Sequence, residues 1–152
     1  MDKISIIKDY FKVGCRVTFS KKVSESDINL FAELTGDFSP NHIDEEFMAD
    51  TVYKKRIAHG ALLVGYMSNV SSSILEKYPS KEVNATAVSL GYDRIRFIKP
   101  VFINDTITVS YTVDLIDSSK KRAFSKIEIR NQDDELVAVA THILKWVINI
   151  PE

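Results

Sequence analysis

The stretch GALLVGYMSNVSSSILEK, residues 60–77, is the longest helical pattern in the chain. Its apolar side chains occupy most of the helical circumference: Ala61, Leu62, Leu63, Val64, Tyr66, Met67, Val70, Ile74 and Leu75. A helix that is apolar on nearly all sides is normally buried against other elements. We therefore expect residues 60–77 to form the central helix of the fold.

Downstream of Pro79 the hydrophobic pattern changes to a period of two, which is typical of strands. Residues 106–115 predict a half-buried antiparallel strand, with these inward positions: Ile107, Val109, Tyr111, Val113 and Leu115. Residues 88–98, 125–130 and 136–148 predict three further strands. The last of them is apolar on both faces, so we expect it to lie in the interior of the sheet.

Upstream of the long helix the pattern predicts shorter elements. Residues 13–23 look extended, Ser24 opens a helical pattern, and Gly36 ends it. Residues 37–43 lack periodicity and predict a loop, after which Asp44 can cap a second short helix. Helices that precede a meander of about four strands indicate an α+β fold.

Composition limits the class of protein. The 152 residues are 45% hydrophobic and 27% charged, as in a soluble globular protein, and we expect one domain spanning residues 1–152. The net charge of -1 argues against nucleic-acid binding. No segment approaches the roughly 20 apolar residues of a membrane span, and residues 1–10 lack a signal-peptide pattern. We therefore expect a cytoplasmic protein with neither a membrane nor a nucleic acid as partner.

The segment GDFSPNHID, residues 36–44, carries the strongest chemical signal. Asp37 and His42 lie five positions apart, and Gly36 and Pro40 bend the chain between the two helices. A carboxylate and an imidazole at this spacing can face one small volume, where they can hold a water molecule and move its protons.

Gly60 begins the predicted central helix, where the first backbone N–H groups have no intrahelical partner. Because Gly60 has no side chain, its N–H can closely approach a carbonyl oxygen. The helix dipole favours negative charge that develops on that oxygen. The residues by themselves thus indicate an acid/base pair near a helix N-terminus.

Metal binding is not expected. The chain has one cysteine, Cys15, so a multi-cysteine zinc site is excluded. The three histidines, His42, His59 and His142, lack the helical His pair or companion ligands of a zinc site. His142 lies on the predicted interior strand and is interpreted as a core or interface histidine.

The string Gly36-Asp37-x-Ser39-Pro40-x-His42-x-Asp44, followed by Ile57-Ala58-His59-Gly60, resembles the signature of the MaoC-like hydratases. That family includes the (R)-specific enoyl-CoA hydratases. The resemblance implies a hot-dog fold over nearly the whole chain, in which a curved antiparallel sheet surrounds one long helix. It also implies a homodimer or a higher homo-oligomer.

The resemblance further implies a reaction and the residues that carry it. The family's catalytic aspartate falls on Asp37 and its catalytic histidine on His42, and the backbone donor to the thioester carbonyl falls on Gly60. A helix serine that orients the catalytic groups falls on Ser68. The implied reaction hydrates a trans-2-enoyl-CoA to an (R)-3-hydroxyacyl-CoA, reversibly and without a cofactor.

Neighbouring positions are expected to support the site structurally: Ser39, Asn41 and His59. The sequence departs from the family at Ser39, where asparagine is common, and at Ala61, where methionine is common. Asn104-Asp105 stands where Gly-Asp is usual. These departures leave all three proposed functional positions unchanged: Asp37, His42 and Gly60.

Three alternatives remain open at this point. The substrate's carrier could be acyl carrier protein instead of CoA. The same fold hosts thioesterases, because a fold does not fix a function, although these usually place their carboxylate elsewhere, often on the helix. A non-catalytic acyl-CoA-binding module is the third alternative.

Overall fold

The structure, a computed structural model, describes residues 10–81 and 84–150. Its elements are, in chain order, β1 (Arg16–Lys22), α1 (Glu25–Thr35), α2 (Pro40–Ile43), α3 (Glu45–Ala49), α4 (Gly60–Lys77), β2 (Ala85–Phe97), β3 (Thr106–Asp117), β4 (Arg122–Arg130) and β5 (Leu136–Ile148). The predicted α+β order is confirmed. The expectation that the N-terminus lacks a signal peptide concerns residues that lie almost wholly outside the described part.

The strands form one antiparallel sheet in the order β1-β3-β4-β5-β2 within the described residues. β5 lies between β4 and β2, so its predicted interior position is confirmed. Helix α4 packs on one face of this sheet against β1 and β3. The core between them is closed by fully buried side chains, among them Met67, Val70, Ile74, Ile107 and Val109.

The prediction for Leu115 was wrong. Its side chain is 55% exposed, whereas Ile107, Val109, Tyr111 and Val113 are buried as expected. The pairing of β3 with β4 shifts register between Val113 and Leu115. Because such a bulge adds one residue to one strand, the residues after it turn to the opposite face.

Helix α4 spans the predicted residues, but it is not covered on all sides. The buried positions are Leu63, Met67, Val70, Ser71 and Ile74. A stripe at helical spacing is exposed: Ala61, Gly65, Ser68 and Ser72. The exposed side of α4 is thus formed by small residues. A count of large apolar side chains does not reveal this side.

Two capping interactions fix the chain before the site. The Ser24 side chain accepts from the Asp27 backbone N–H, and the Asp27 carboxylate accepts from the Ser24 N–H, which forms a reciprocal capping box. Gly36 ends α1 in the left-handed conformation, at φ 80°. The Asp44 carboxylate caps α3 by accepting from the Phe47 N–H, as predicted.

Residues 37–43 are not a continuous loop as predicted, because Pro40–Ile43 forms the one-turn helix α2. Proline suits a first helical position, since its missing N–H has no partner there and its φ is already helical. A single turn is too short to show a hydrophobic period. None of the helices in the described residues is long and apolar enough to cross a membrane.

Candidate active site

Asp37 directly follows the glycine that ends α1. Its Oδ1 accepts hydrogen bonds from the Ser39 hydroxyl at 2.7 Å and from the Ser39 backbone N–H at 3.2 Å. These bonds stabilise the carboxylate and lower the pKa of Asp37 below its ordinary value. Asp37 is therefore ionised at neutral pH, and Ser39 supports it where the family commonly carries asparagine.

His42 lies on α2, and its side chain is only 10% exposed. Its Nδ1 lies 2.8 Å from the carbonyl oxygen of Ile57. A carbonyl oxygen can only accept, so Nδ1 carries the hydrogen, and in the neutral ring Nε2 carries the lone pair. This basic nitrogen lies 4.0 Å from Oδ2 of Asp37.

The gap between Asp37 and His42 is too long for a hydrogen bond and suits a bridging water. A water at about 2.8 Å from each atom spans such a separation without strain. Both groups present acceptors to it, so the water donates one hydrogen to each and keeps its oxygen lone pairs free. An oxygen held in this way is polarised as a nucleophile.

The segment 56–60 holds this acid/base pair in place from the other side. The Ile57 N–H donates to the backbone oxygen of Asn41 at 3.0 Å, which is the supporting contact that the structure shows for Asn41. The Ala58 N–H donates to Val101 O at 2.7 Å and ties the segment to the residues before β3. His42 is thus fixed between two backbone segments that are distant in sequence.

Sequence reasoning gave no role to Arg56, although it directly precedes the Ile57-Ala58-His59-Gly60 part of the recognised signature. Its side chain is 6% exposed. Nε donates to the His42 carbonyl at 2.6 Å, and the other nitrogens donate to Glu25 at 2.6 Å and Asn29 at 2.8 Å. The guanidinium therefore joins α1 to the backbone of His42. The sequence signal that could have indicated this role is the position of an arginine directly before the apolar residues Ile57 and Ala58.

Gly60 is the first residue of α4, so its N–H has no intrahelical partner. A Cβ on Gly60 would lie 2.5 Å from the ring of Phe97, and this contact explains the absence of a side chain. His42, Gly60 and Phe97 line one cavity of about 410 Å³. Most of its other lining residues are apolar: Ile57, Ala58, Ala61, Leu63, Ile98, Pro100 and Val101.

Ser68 is not brought into contact with the acid/base pair in this chain. It is exposed on α4, two turns beyond Gly60, and it is not among the residues that line the cavity. No side-chain hydrogen bond joins its hydroxyl to Asp37 or His42 within the described residues. Its role stays a prediction.

Three groups at the site could in principle ligate a metal. Ligand atoms of Asp37, His42 and His59 lie within 4.8 Å of one another. The two imidazole rings are stacked, however, with centroids 3.8 Å apart and an interplanar angle of 27°. Lone pairs in stacked rings run side by side, whereas tetrahedral zinc needs donors that converge at roughly 3.3 Å from one another. The geometry fits a water between acid/base groups better than a metal.

Comparison with known proteins agrees with this geometry. The family model described as "MaoC like domain" matches residues 12–135. An (R)-specific enoyl-CoA hydratase from Rhodospirillum rubrum is 37% identical over 124 residues, which cover 80% of this chain and 81% of that protein.

Two solved structures share the fold. The (R)-hydratase from Aeromonas caviae superposes with a TM-score of 0.78 at 29% identity and covers 89% of this chain and 96% of its own. A monoamine oxidase regulatory protein from Archaeoglobus superposes with a TM-score of 0.78 at 34% identity and covers 93% of both chains. The expected hot-dog architecture is thereby confirmed, and the chain belongs to the MaoC-like domain family.

Proposed function

We propose that this protein is a hydro-lyase that interconverts trans-2-enoyl-CoA and (R)-3-hydroxyacyl-CoA. The 4.0 Å separation between the Asp37 carboxylate and the lone pair of His42 Nε2 carries this proposal. Two acceptors at this distance hold a water for addition to a double bond, and one of them, His42, lines the largely apolar cavity that Gly60 also lines. The names of the curated relatives, among them a 3-hydroxybutyryl-CoA dehydratase from Methylorubrum extorquens that is 33% identical, support the same chemistry.

In the hydration direction, the oxygen of the held water forms a bond to C3 of the enoyl thioester. The electron pair of the C2–C3 double bond moves toward C2, and negative charge develops on the thioester oxygen. The Gly60 N–H, at the positive end of α4, stabilises that charge. A proton from the water is received by the Asp37–His42 pair and a proton is delivered to C2, so the net change adds one water.

The site needs no cofactor for this sequence of steps. The substrate supplies the electrophile, the two side chains move the protons, and a backbone amide stabilises the oxyanion. We therefore keep the expectation that the thioester is the sole organic molecule bound during turnover.

Thioester hydrolysis is the alternative that the same fold allows. A carboxylate on the central helix would favour it, but α4 carries a single acidic residue, Glu76, which lies at its C-terminal end. The carboxylate that lies 4.0 Å from His42 Nε2 is that of Asp37, in the segment after α1. This placement favours hydration over hydrolysis.

Oligomerisation is also proposed. β2 forms one edge of the sheet, and large apolar side chains are exposed on or beside it, including Leu90, Phe97 and Ile98. An edge strand with unpaired backbone groups is a template for pairing with another chain. A second copy that pairs along β2 would produce a homodimer, and sedimentation as a monomer at micromolar concentration would contradict it.

The deciding experiment incubates the purified protein with trans-2-enoyl-CoAs of several chain lengths. Loss of the conjugated enoyl absorbance and release of free thiol are followed in parallel, and the configuration of the product is determined. We expect absorbance loss without thiol and an (R)-3-hydroxy product. Asp37→Asn, purified identically, controls for a contaminating hydratase.

Other outcomes overturn the proposal in distinguishable ways. Release of thiol would identify a thioesterase. Turnover with enoyl-acyl carrier protein, but not with enoyl-CoA, would correct the carrier. Tight binding of acyl-CoA without any chemistry would identify a binding module.

A further inference from the structure

We infer that His59 is a positioning residue that joins the acid/base pair to the oxyanion donor, an inference that rests on the proposed function. His59 is only 1% exposed and immediately precedes Gly60. It contacts the backbone of Asp37 and the ring of His42 at the same time. Sequence reasoning assigned it structural support without specifying any contact.

The first contact is a hydrogen bond to the catalytic segment. Nε2 of His59 lies 3.0 Å from the backbone oxygen of Asp37, so Nε2 carries the hydrogen and donates it. Asp37 is otherwise held by local bonds to Ser39 and by a weak 3.3 Å bond from its own N–H to the Thr35 hydroxyl. The bond from His59 is therefore the long-range restraint on the position of this carboxylate.

The second contact is the stack of the His59 ring on the His42 ring, with centroids 3.8 Å apart. On another side, the ring of Phe31 from α1 lies 4.7 Å from that of His59. The imidazole of His59 is thus enclosed between an aromatic ring and the ring of the base. The hydrogen bond to Ile57 holds the His42 ring at Nδ1 only. The stack with His59 restricts the rotation of the ring that this single bond would still allow.

The third connection runs through the backbone. His59 is the N-cap residue of α4, so the orientation of its peptide sets the direction of the next N–H, that of Gly60. A shift of the His59 ring therefore moves the acid/base pair and the oxyanion donor relative to each other. Misplacement of reacting groups by about 1 Å can cost roughly a hundredfold in rate.

Burial also keeps His59 uncharged. Desolvation lowers the pKa of His59, and the nearby His42 lowers it further, while the Asp37 carbonyl and carboxylate oppose the shift. A neutral ring donates through Nε2 and places no positive charge beside the base. Nδ1 of His59 is buried without a hydrogen-bond partner among the described residues. A charged ring would carry a second hydrogen there with no acceptor, whereas the neutral ring carries its one hydrogen on Nε2.

The test compares His59→Phe with His59→Gln. Phenylalanine keeps an aromatic ring on His42 but removes the donor to Asp37, whereas the amide nitrogen of glutamine lies near the position of Nε2 and keeps the donor. We expect His59→Phe to lower kcat by about tenfold to a hundredfold with KM changed by less than about threefold. His59→Gln is expected to recover at least about fivefold of that loss.

His142→Phe is the matched control, because it also replaces a buried histidine but lies outside the site. It should lower the melting temperature and leave kcat unchanged at temperatures where the protein stays folded. A His59→Phe enzyme with wild-type kcat, or equal losses for phenylalanine and glutamine, would overturn the inference.

A measurement without substrate separates this inference from the proposed function. Nitrogen-15 NMR of the imidazoles should show His42 with a hydrogen on Nδ1 in the wild type and in His59→Phe, which keeps a ring on His42, and a mixture of tautomers in His59→Ala, which removes the stack that holds the His42 ring against the Ile57 carbonyl. If the wild type hydrates no enoyl thioester yet this change appears, the proposed function fails and the positioning contact stands. An unchanged His42 spectrum in His59→Ala overturns the positioning role.

Discussion

His59 and His142 are both fully buried, yet they belong to two very different surroundings. His59 lies between backbone segments, bonded to one carbonyl oxygen and stacked on a second imidazole. His142 lies within the sheet, where its Nε2 is 2.8 Å from the Ser89 hydroxyl and its Nδ1 is 2.9 Å from the Tyr111 hydroxyl. Burial lowers the pKa of both rings.

The difference shows that burial and a shifted pKa do not by themselves mark a functional histidine. His142 is satisfied by two side chains and enclosed by paired strands, so no substrate can reach it. His59 lies in the chain between Ala58 and Gly60, which line the cavity, and it contacts both Asp37 and His42. The partners of the imidazole, and not its burial, distinguish a group that positions chemistry from one that stabilises the fold.

The largest effects should follow from changing the acid/base pair. Asp37→Asn and His42→Ala should each lower kcat by about 10²–10⁴, the range of general acid–base groups, measured with an enoyl-CoA substrate. Stability should change little for Asp37→Asn, because its side chain is 46% exposed. Asp114→Asn, an exposed change on β3, should leave turnover intact. Near-normal rates in both site variants would remove Asp37 and His42 from the mechanism.

Gly60→Ala should lower kcat/KM by about tenfold to a hundredfold, because the new methyl group collides with the Phe97 ring and displaces the N–H that stabilises the oxyanion. Gly65→Ala is the matched control, since its Cβ would meet nothing within 4 Å and mid-helix alanine stabilises by up to about 1 kcal/mol. Adding Phe97→Leu to Gly60→Ala should restore part of the rate. Equal kinetics for the two single alanine variants would contradict the close approach at Gly60.

Acid should destabilise the fold through His142. Burial lowers its pKa to about 4 from 6.5, so the unfolded chain binds more protons between these values and the free energy of unfolding falls as the pH drops from about 6.5 toward 4. The loss amounts to roughly 3 kcal/mol for this residue. Denaturant unfolding at several pH values measures it, and His142→Phe should flatten the curve; His59 contributes a further slope of the same sign. An unchanged slope in His142→Phe would assign the acid sensitivity to other groups.

The smallest effect concerns His142, the buried histidine of the sheet. Tyr111→Phe removes the hydroxyl that bonds to Nδ1 of His142 and should cost about 1–3 kcal/mol of stability, because a buried polar nitrogen is left unpaired. We expect kcat to stay at its wild-type value. Thermal unfolding and initial rates of the same preparation measure both quantities, and a loss of kcat in the folded variant would show that the sheet network reaches the site.

The pattern of apolar residues predicted most of the fold. Residues 60–77 form the predicted helix, Ser24 and Gly36 bound α1, and β5 lies in the interior of the sheet. The errors have local causes. A bulge exposes Leu115, and α2 is a single turn, so neither leaves a periodic signal in the sequence.

The amino-acid sequence determined which chemical groups the site contains. Asp37 and His42 are close in sequence, and a short bent segment keeps them close in space for reasons of chain geometry alone. Gly60 could be assigned from its place at the start of an apolar helix, since the first N–H groups of any helix lack partners.

Tertiary structure decided how those groups are oriented. The hydrogen on Nδ1 of His42 is dictated by the Ile57 carbonyl, 15 residues away, and the backbone of His42 is held by Arg56, which is itself tied to α1. The contact of His59 with Asp37 spans 22 residues. Hydrogen bonds of this kind depend on atoms that converge only when α1, the segment 56–60 and α4 pack together, and no local pattern of residues encodes their distances.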